Sequence, residues 1–274
     1  MHFNILTLKE VCTYELLNLL VVSCIAFLPA FFFRRYASRY GIYLSIVFQA
    51  GALVYMHHAE LEKGVFTFLL LLLLAVYAVS RIAANALLAK KRGPSDVEHP
   101  YNFLASLIRF VCGSVLMTAV MLPMDYRFFT GGYTGKNPKN ISVTLLIALI
   151  GLAVCIVLTW LITFRRLADK HENGAPIPAG GIYRLSRYPE LLVECFVLMF
   201  LAVSAGYILL KSNLALLIVI FLVDVIFFAT LFRRAAMMEQ DDAECYGKDD
   251  AYIMAVRRAP IFFPLIPIKT FLKK

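Results

Sequence analysis

Residues 64–89 read GVFTFLLLLLLAVYAVSRIAANALLA, and the cluster Lys90, Lys91 and Arg92 follows immediately. A run of this length with a single charge, Arg81, is too long for an ordinary buried core helix and matches the roughly 20 apolar residues that cross a bilayer. A transmembrane helix ending in a basic anchor is the expected structure. The remainder of the chain repeats the pattern. Further apolar windows lie at 14–33, 40–56, 103–123, 141–164, 189–210 and 214–232, about seven in all. The second window is short and the last two are joined by little more than Lys211–Asn213, so a re-entrant hairpin is the alternative at either place. Hydrophobic residues make up 61% of the 274 positions and charged residues 16%, which excludes an ordinary soluble domain. The expected fold class is all-α, a polytopic membrane helix bundle of about seven spans with a short amphipathic tail, in a single membrane domain over 1–274.

The net charge of +9 does not point to nucleic acid, because the basic residues sit in alternate loops rather than on one face. Arg34, Arg35 and Arg39 follow the first window, Lys90, Lys91 and Arg92 the third, and Arg165, Arg166, Lys170, Arg184 and Arg187 the fifth; Arg233, Arg234, Arg257 and Arg258 lie in the tail. By the positive-inside rule the N-terminus lies outside or in a lumen and the tail in the cytoplasm, as an odd number of spans requires. The membrane is the endoplasmic reticulum in a eukaryote and the inner membrane in a bacterium. The segment TGGYTGKNPKN, residues 130–140, reads as an external connector. The six cysteines form no CxxC pair and read as small apolar fillers.

This topology gathers 90–102, 165–188 and everything after Arg233 on one side. There the segment IPAGGIYRLSRYPELLVE, 177–194, combines a Pro-Gly-Gly turn with Tyr183, Arg184, Arg187, Pro189, Glu190 and Glu194. Glu190 and Glu194 are four apart and share a face at a helix start, where they either complement the dipole or meet a basic partner. A carboxylate below the interface is costly, so Glu194 is expected to face a polar cavity or an arginine. Arg234 and Glu239 lie at the end of the last window, and Asp241, Asp242 and Glu244 form an acidic stretch suited to pairing with the basic loop. Arg81, with Asn85 one turn on, Arg109 and Asp224 are charged or polar groups within spans and are candidates for internal pairing or function. Trp160 and Tyr183 read as interface anchors. No HExxH, GxSxG, Walker or GxGxxG pattern is present. The adjacent His57 and His58 have no second histidine cluster, so no metal is expected.

SRIAANALLAKKRG (80–93), IPAGGIYRLSRYPELLVE (177–194), RRAA (233–236) and APIFFP (259–264) resemble the steroid 5-alpha-reductase family, which is related to membrane methyltransferases of the isoprenylcysteine carboxyl methyltransferase type. In the reductase pattern Pro189 and Glu194 keep their places, while Glu190, Leu191 and Val193 replace an Asn, an aromatic and a Gly. The resemblance implies a C-terminal cofactor-binding half over 165–274 and NADPH-dependent reduction of an activated C=C bond in a steroid, polyprenol or enoyl lipid. For such a reductase Arg81, Arg165, Arg184, Arg187 and Arg234 are the candidates for the anionic cofactor, Glu194 helps to orient its head group, and Tyr77, a turn before Arg81, is by its placement the proton-donor candidate. The substrate would enter an apolar cavity among the first four spans.

The methyltransferase pattern Gly-x-Tyr-Arg-x-Ser-Arg-x-Pro is matched by Gly181, Tyr183, Arg184, Ser186, Arg187 and Pro189. It implies S-adenosylmethionine at Tyr183, Arg187, Glu239 and Tyr246. A non-catalytic lipid-binding relative is the third alternative.

Overall fold

The computed structural model describes residues 5–32, 40–58, 65–92, 103–126, 143–172, 181–212, 214–246 and 250–260. These residues are helical almost throughout, with no strand among them. The helices are α1 (Ile5–Phe32), α2 (Ile42–His57), α3 (Val65–Arg92), α4 (Phe103–Val120), α5 (Val143–Glu172), α6 (Pro189–Ser212), α7 (Leu214–Tyr246) and α8 (Asp250–Arg258), with a 3₁₀ turn at Gly181–Arg184. Among the described residues each of the seven apolar windows is thus helical. Four spans, Val65–Leu88, Phe103–Tyr126, Val143–Ala168 and Leu214–Gln240, are long and apolar enough to cross a membrane, and the shorter apolar stretches Tyr14–Pro29 and Ile42–His57 accompany them. This is an integral membrane protein. In hydrocarbon a helix satisfies its own backbone, which is why uninterrupted apolar sequence takes this form. The exterior is correspondingly oily: Leu72, Val79, Val115, Ile150, Phe221 and Ile226 are all exposed.

The loop 130–140 and the end of APIFFP lie outside the described residues, as do the side chains of Lys90, Lys91, Arg92, Asp241, Glu244 and Tyr246.

The chain divides into two compact units, Met1–Ile156 with Leu198–Asp224, and Val157–Val197 with Val225–Lys274. In the first, α1 packs against α2 and α4, and α2 against α3 and α4. Leu19, Leu53, Leu70, Leu74 and Met117 fill its core. Small residues let the helices approach closely, as packing in lipid requires. A Cβ on Gly113 would lie 2.7 Å from the Phe27 ring, and one on Gly151 would collide with the Phe200 ring. Hydrogen bonds cross the same core: Ser23 and Ser45 hydroxyls lie 2.8 Å apart and Ser23 donates to the Ser114 carbonyl at 3.1 Å, while within α2 Gln49 Nε2 donates to Ser45 at 2.7 Å. Such bonds contribute about 0.6–2 kcal/mol each in a membrane and fix which helix faces meet.

The three embedded charges also belong here. Arg81 donates to the Tyr43 hydroxyl at 3.1 and 3.2 Å and lies 5.4 Å from the centre of that ring. Arg109 turns back on its own helix, donating to the Ala105 carbonyl at 2.9 Å and the Ser106 hydroxyl at 3.1 Å. Asp224, half-buried, stands between the exposed Phe221, Leu222, Val225 and Ile226 on α7. Cys24, Cys112, Cys155 and Cys195 are free thiols.

Candidate functional site

The second unit assembles most of the residues singled out in 165–194 and 233–246. Its scaffold is the turn between α5 and α6. Leu185 and Ser186 donate to the Ile182 carbonyl at 3.0 and 3.3 Å, closing the 3₁₀ turn, and the Tyr188 N–H donates to the Ser186 hydroxyl at 3.2 Å. The Arg187 N–H donates to the Pro260 carbonyl at 3.0 Å, tying the turn to the segment after α8. Pro189 then opens α6, a first-turn position where its missing N–H costs nothing and its fixed φ suits a helix.

On this scaffold three arginines meet three glutamates. Arg187 Nη1 bonds Glu239 Oε1; the arginine is 3% exposed, so its charge is almost wholly removed from water. Arg234 Nη1 bonds Glu194 at 3.0 Å to Oε2 and 3.4 Å to Oε1. Arg166 Nη1 bonds Glu190 Oε1 at 2.6 Å. Glu190 therefore serves both readings offered for it, a first-turn acid at a helix start and the partner of a cation. Asp242 accepts from the Tyr188 hydroxyl at 3.0 Å. Buried charges persist only when paired in this way, since an isolated one is prohibitively expensive.

Three buried tyrosines complete the cluster, Tyr183, Tyr188 and Tyr252. Tyr183, expected as an interface anchor, is instead interior, with its hydroxyl donating to the Ile162 carbonyl at 3.4 Å. The polar tip is used by the backbone of α5. Trp160 stacks on Phe164 with ring centres 5.6 Å apart. Burial, reinforced by the nearby carboxylates Asp242 and Glu239, pushes the Tyr188 phenol well above its usual range. Burial does the same for Tyr252, followed by the charge of Glu239 and Asp242. The folded protein thus holds both phenols protonated, whereas an unfolded chain releases those protons near about pH 10. The stability this confers is complete below about pH 10 and falls as pH rises further, because the unfolded state then binds fewer protons. Melting temperatures measured from about pH 8 to 11 are expected to drop at the alkaline end, and Tyr188→Phe is expected to flatten that drop.

Of the sequence candidates, Tyr183, Arg187, Glu194, Arg234 and Glu239 come together in this unit. Arg165 and Arg184 belong to the same unit and are exposed, Arg165 on α5 beside the paired Arg166 and Arg184 at the end of the 3₁₀ turn. Tyr246 ends α7, with its side chain outside the described residues. Tyr77 and Arg81 lie in the first unit, one turn apart on α3 and both buried. Sequence reading passed over Arg166, Tyr188 and Tyr252. Neither did it foresee that His57, set aside as a metal ligand, would meet Glu15 and Asp125.

Compared with protein-family models, with curated proteins and with solved structures, the chain matches none.

Proposed function

We propose that the protein is a seven-span membrane reductase, N-terminus out and C-terminus in, that uses NADPH to reduce an activated C=C bond in a steroid, polyprenol or enoyl lipid. The observation that carries this reading is the assembly, within one unit that also holds the exposed Arg165 and Arg184, of two ion pairs, each with one buried member, Arg187 with Glu239 and Glu194 with Arg234. A cluster so costly to desolvate is expected where it has a use. Hydride chemistry belongs to the nicotinamide, so the chain must hold phosphates, orient the ring and exclude water. Arg165 and Arg184 are the phosphate contacts, because exposed guanidinium forks suit phosphate oxygens. The paired Arg187, Arg234 and Glu194, with Tyr183, set the floor against which the head group rests. The first unit takes the lipid, with the buried Tyr77 hydroxyl as the proposed proton source and Arg81, which donates to the Tyr43 hydroxyl, one turn further on.

One observation favours a second reading. Arg166, Arg187 and Arg234 face Glu190, Glu194, Glu239 and Asp242, so the inner cluster has one carboxylate more than it has arginines, and it includes three buried tyrosines. Carboxylates and aromatic faces suit a sulfonium, so a methyltransferase using S-adenosylmethionine is the alternative. A lipid-binding relative without catalysis is the reading left if neither cofactor binds.

The rim arginines separate the two enzymes. Arg165→Ala and Arg184→Ala leave the fold intact, being exposed, and each is expected to weaken NADPH binding by about tenfold or more. S-adenosylmethionine has no phosphate, so binding of that ligand instead, unaffected by both changes, would overturn the reductase reading. Direct titration of the purified protein with each cofactor gives the answer.

A further inference from the structure

Three residues remote in sequence meet in the first unit, Glu15 of α1, His57 at the end of α2, and Asp125 in the helical turn that closes the Phe103–Tyr126 span. One donor atom from each lies within 4.8 Å of the other two. His57 Nε2 is 3.7 Å from Glu15 Oε1. Asp125 is 1% exposed, and among the described residues no donor reaches its Oδ1 or Oε2 of Glu15. The turn itself is well held, with the Asp125 N–H donating to the Met121 carbonyl at 3.1 Å. Two carboxylates this close, one of them almost wholly out of water, repel each other unless a cation or a shared proton lies between them.

We infer that Glu15, His57 and Asp125 form a binding site for a divalent transition ion of the Zn²⁺ or Mn²⁺ class. An imidazole nitrogen with two carboxylate oxygens is a donor set for these ions rather than for Mg²⁺ or Ca²⁺, which take oxygen alone. Bonds of about 2.0–2.2 Å require the three donors to close slightly on a common centre, a movement within reach of side-chain rotation. Three protein ligands leave at least one position for water. The neighbouring His58 takes no part, being exposed, with its Nδ1 2.8 Å from the Tyr55 carbonyl of its own turn. On the topology proposed above, Glu15 at the start of the apolar stretch Tyr14–Pro29 of α1, the end of α2 and the end of the 103–126 span all lie at the outer face, where external cations have access. Binding would tie α1 to the ends of α2 and of the 103–126 span. The site is independent of the reductase reading, since every ligand lies in the first unit and none belongs to the arginine–carboxylate cluster.

The test uses the full-length protein in detergent, stripped with a chelator, incubated with ZnCl₂ or MnCl₂, desalted and assayed for metal content. The expected result is one ion per chain and a raised melting temperature when the free ion is held at about 100 times its dissociation constant. Uptake is expected to be lost in Asp125→Asn and His57→Gln and kept in His58→Gln. Should a variant fail to fold, modification of His57 in the unaltered protein by diethyl pyrocarbonate, with Zn²⁺ expected to block it, gives a separate readout. Failure of the stripped protein to take up either ion, unaltered uptake in folded Asp125→Asn, or modification of His57 at the same rate with and without Zn²⁺ would overturn the proposal and leave a shared proton between the carboxylates.

Discussion

Arg187→Ala lowers the stability of the purified protein by about 3–5 kcal/mol, the cost of leaving one partner of a buried ion pair without its counterion. Glu239 is the group stranded, since its Oε1 accepts from Arg187 Nη1 in a setting where the arginine side chain is 2% and the glutamate side chain 14% exposed. Part of the loss is backbone in origin only if the turn moves, and alanine keeps the N–H that donates to the Pro260 carbonyl. Glu239→Gln in the Arg187→Ala background removes the stranded charge and is expected to recover a substantial share of the loss. Denaturant or thermal unfolding of the two single variants and the double variant measures the coupling directly. Purely additive single effects would mean that the pair is not an energetic unit.

Glu194→Ala is expected to cost about 3 kcal/mol, the lower end for breaking a buried pair, because Arg234 retains 17% side-chain exposure and keeps some contact with water. The functional effect is expected to be larger than the effect on stability. Glu194 lies five residues into α6 and its two oxygens hold Arg234 across to α7, so its loss frees both sides of the proposed floor for the head group. NADPH titration of Glu194→Ala under conditions where the variant is folded is expected to show binding reduced by at least tenfold, or about 1.4 kcal/mol. The exchange Glu194→Arg with Arg234→Glu is expected to restore stability more than cofactor binding, because it rebuilds the pair with the charges in the wrong places. Recovery of both to the same extent would reduce the pair to a structural role.

The helices were legible because the physical signal for them is strong and one-dimensional. An uncharged run such as 64–80 has few other solutions in lipid, and the described residues of each of the seven windows are helical. The pairing of helix faces was not legible, since lipid-facing and core-facing residues here are equally apolar: Leu71 is buried and Leu72 exposed with nothing in the sequence to tell them apart. The site was legible where spacing carried it, as with Glu190 and Glu194 on one face and the arginines at span ends. It failed where one helix position decides the outcome. Adjacent residues on a helix point about 100° apart, so the choice between Arg165 and Arg166 turns on the rotation of α5, and the structure pairs Arg166 with Glu190 while Arg165 faces out. Tyr43 as the partner of Arg81, and Glu15 and Asp125 as neighbours of His57, depend on contacts between helices far apart in sequence. Local pattern carries no information about such meetings. Tyr183 misled for a different reason: aromatic belts are a statistical tendency, and the hydroxyl found a backbone carbonyl inside the unit.

The arginine–carboxylate cluster of the second unit is proposed to hold a nicotinamide cofactor. The most direct measurement is the melting temperature of the detergent-purified protein with NADPH, with NADH and with S-adenosylmethionine, since a ligand that binds only the folded state raises it. The account predicts a rise with NADPH that disappears in Arg187→Ala or Glu194→Ala. A rise with S-adenosylmethionine alone, or no response to any of the three, would contradict it.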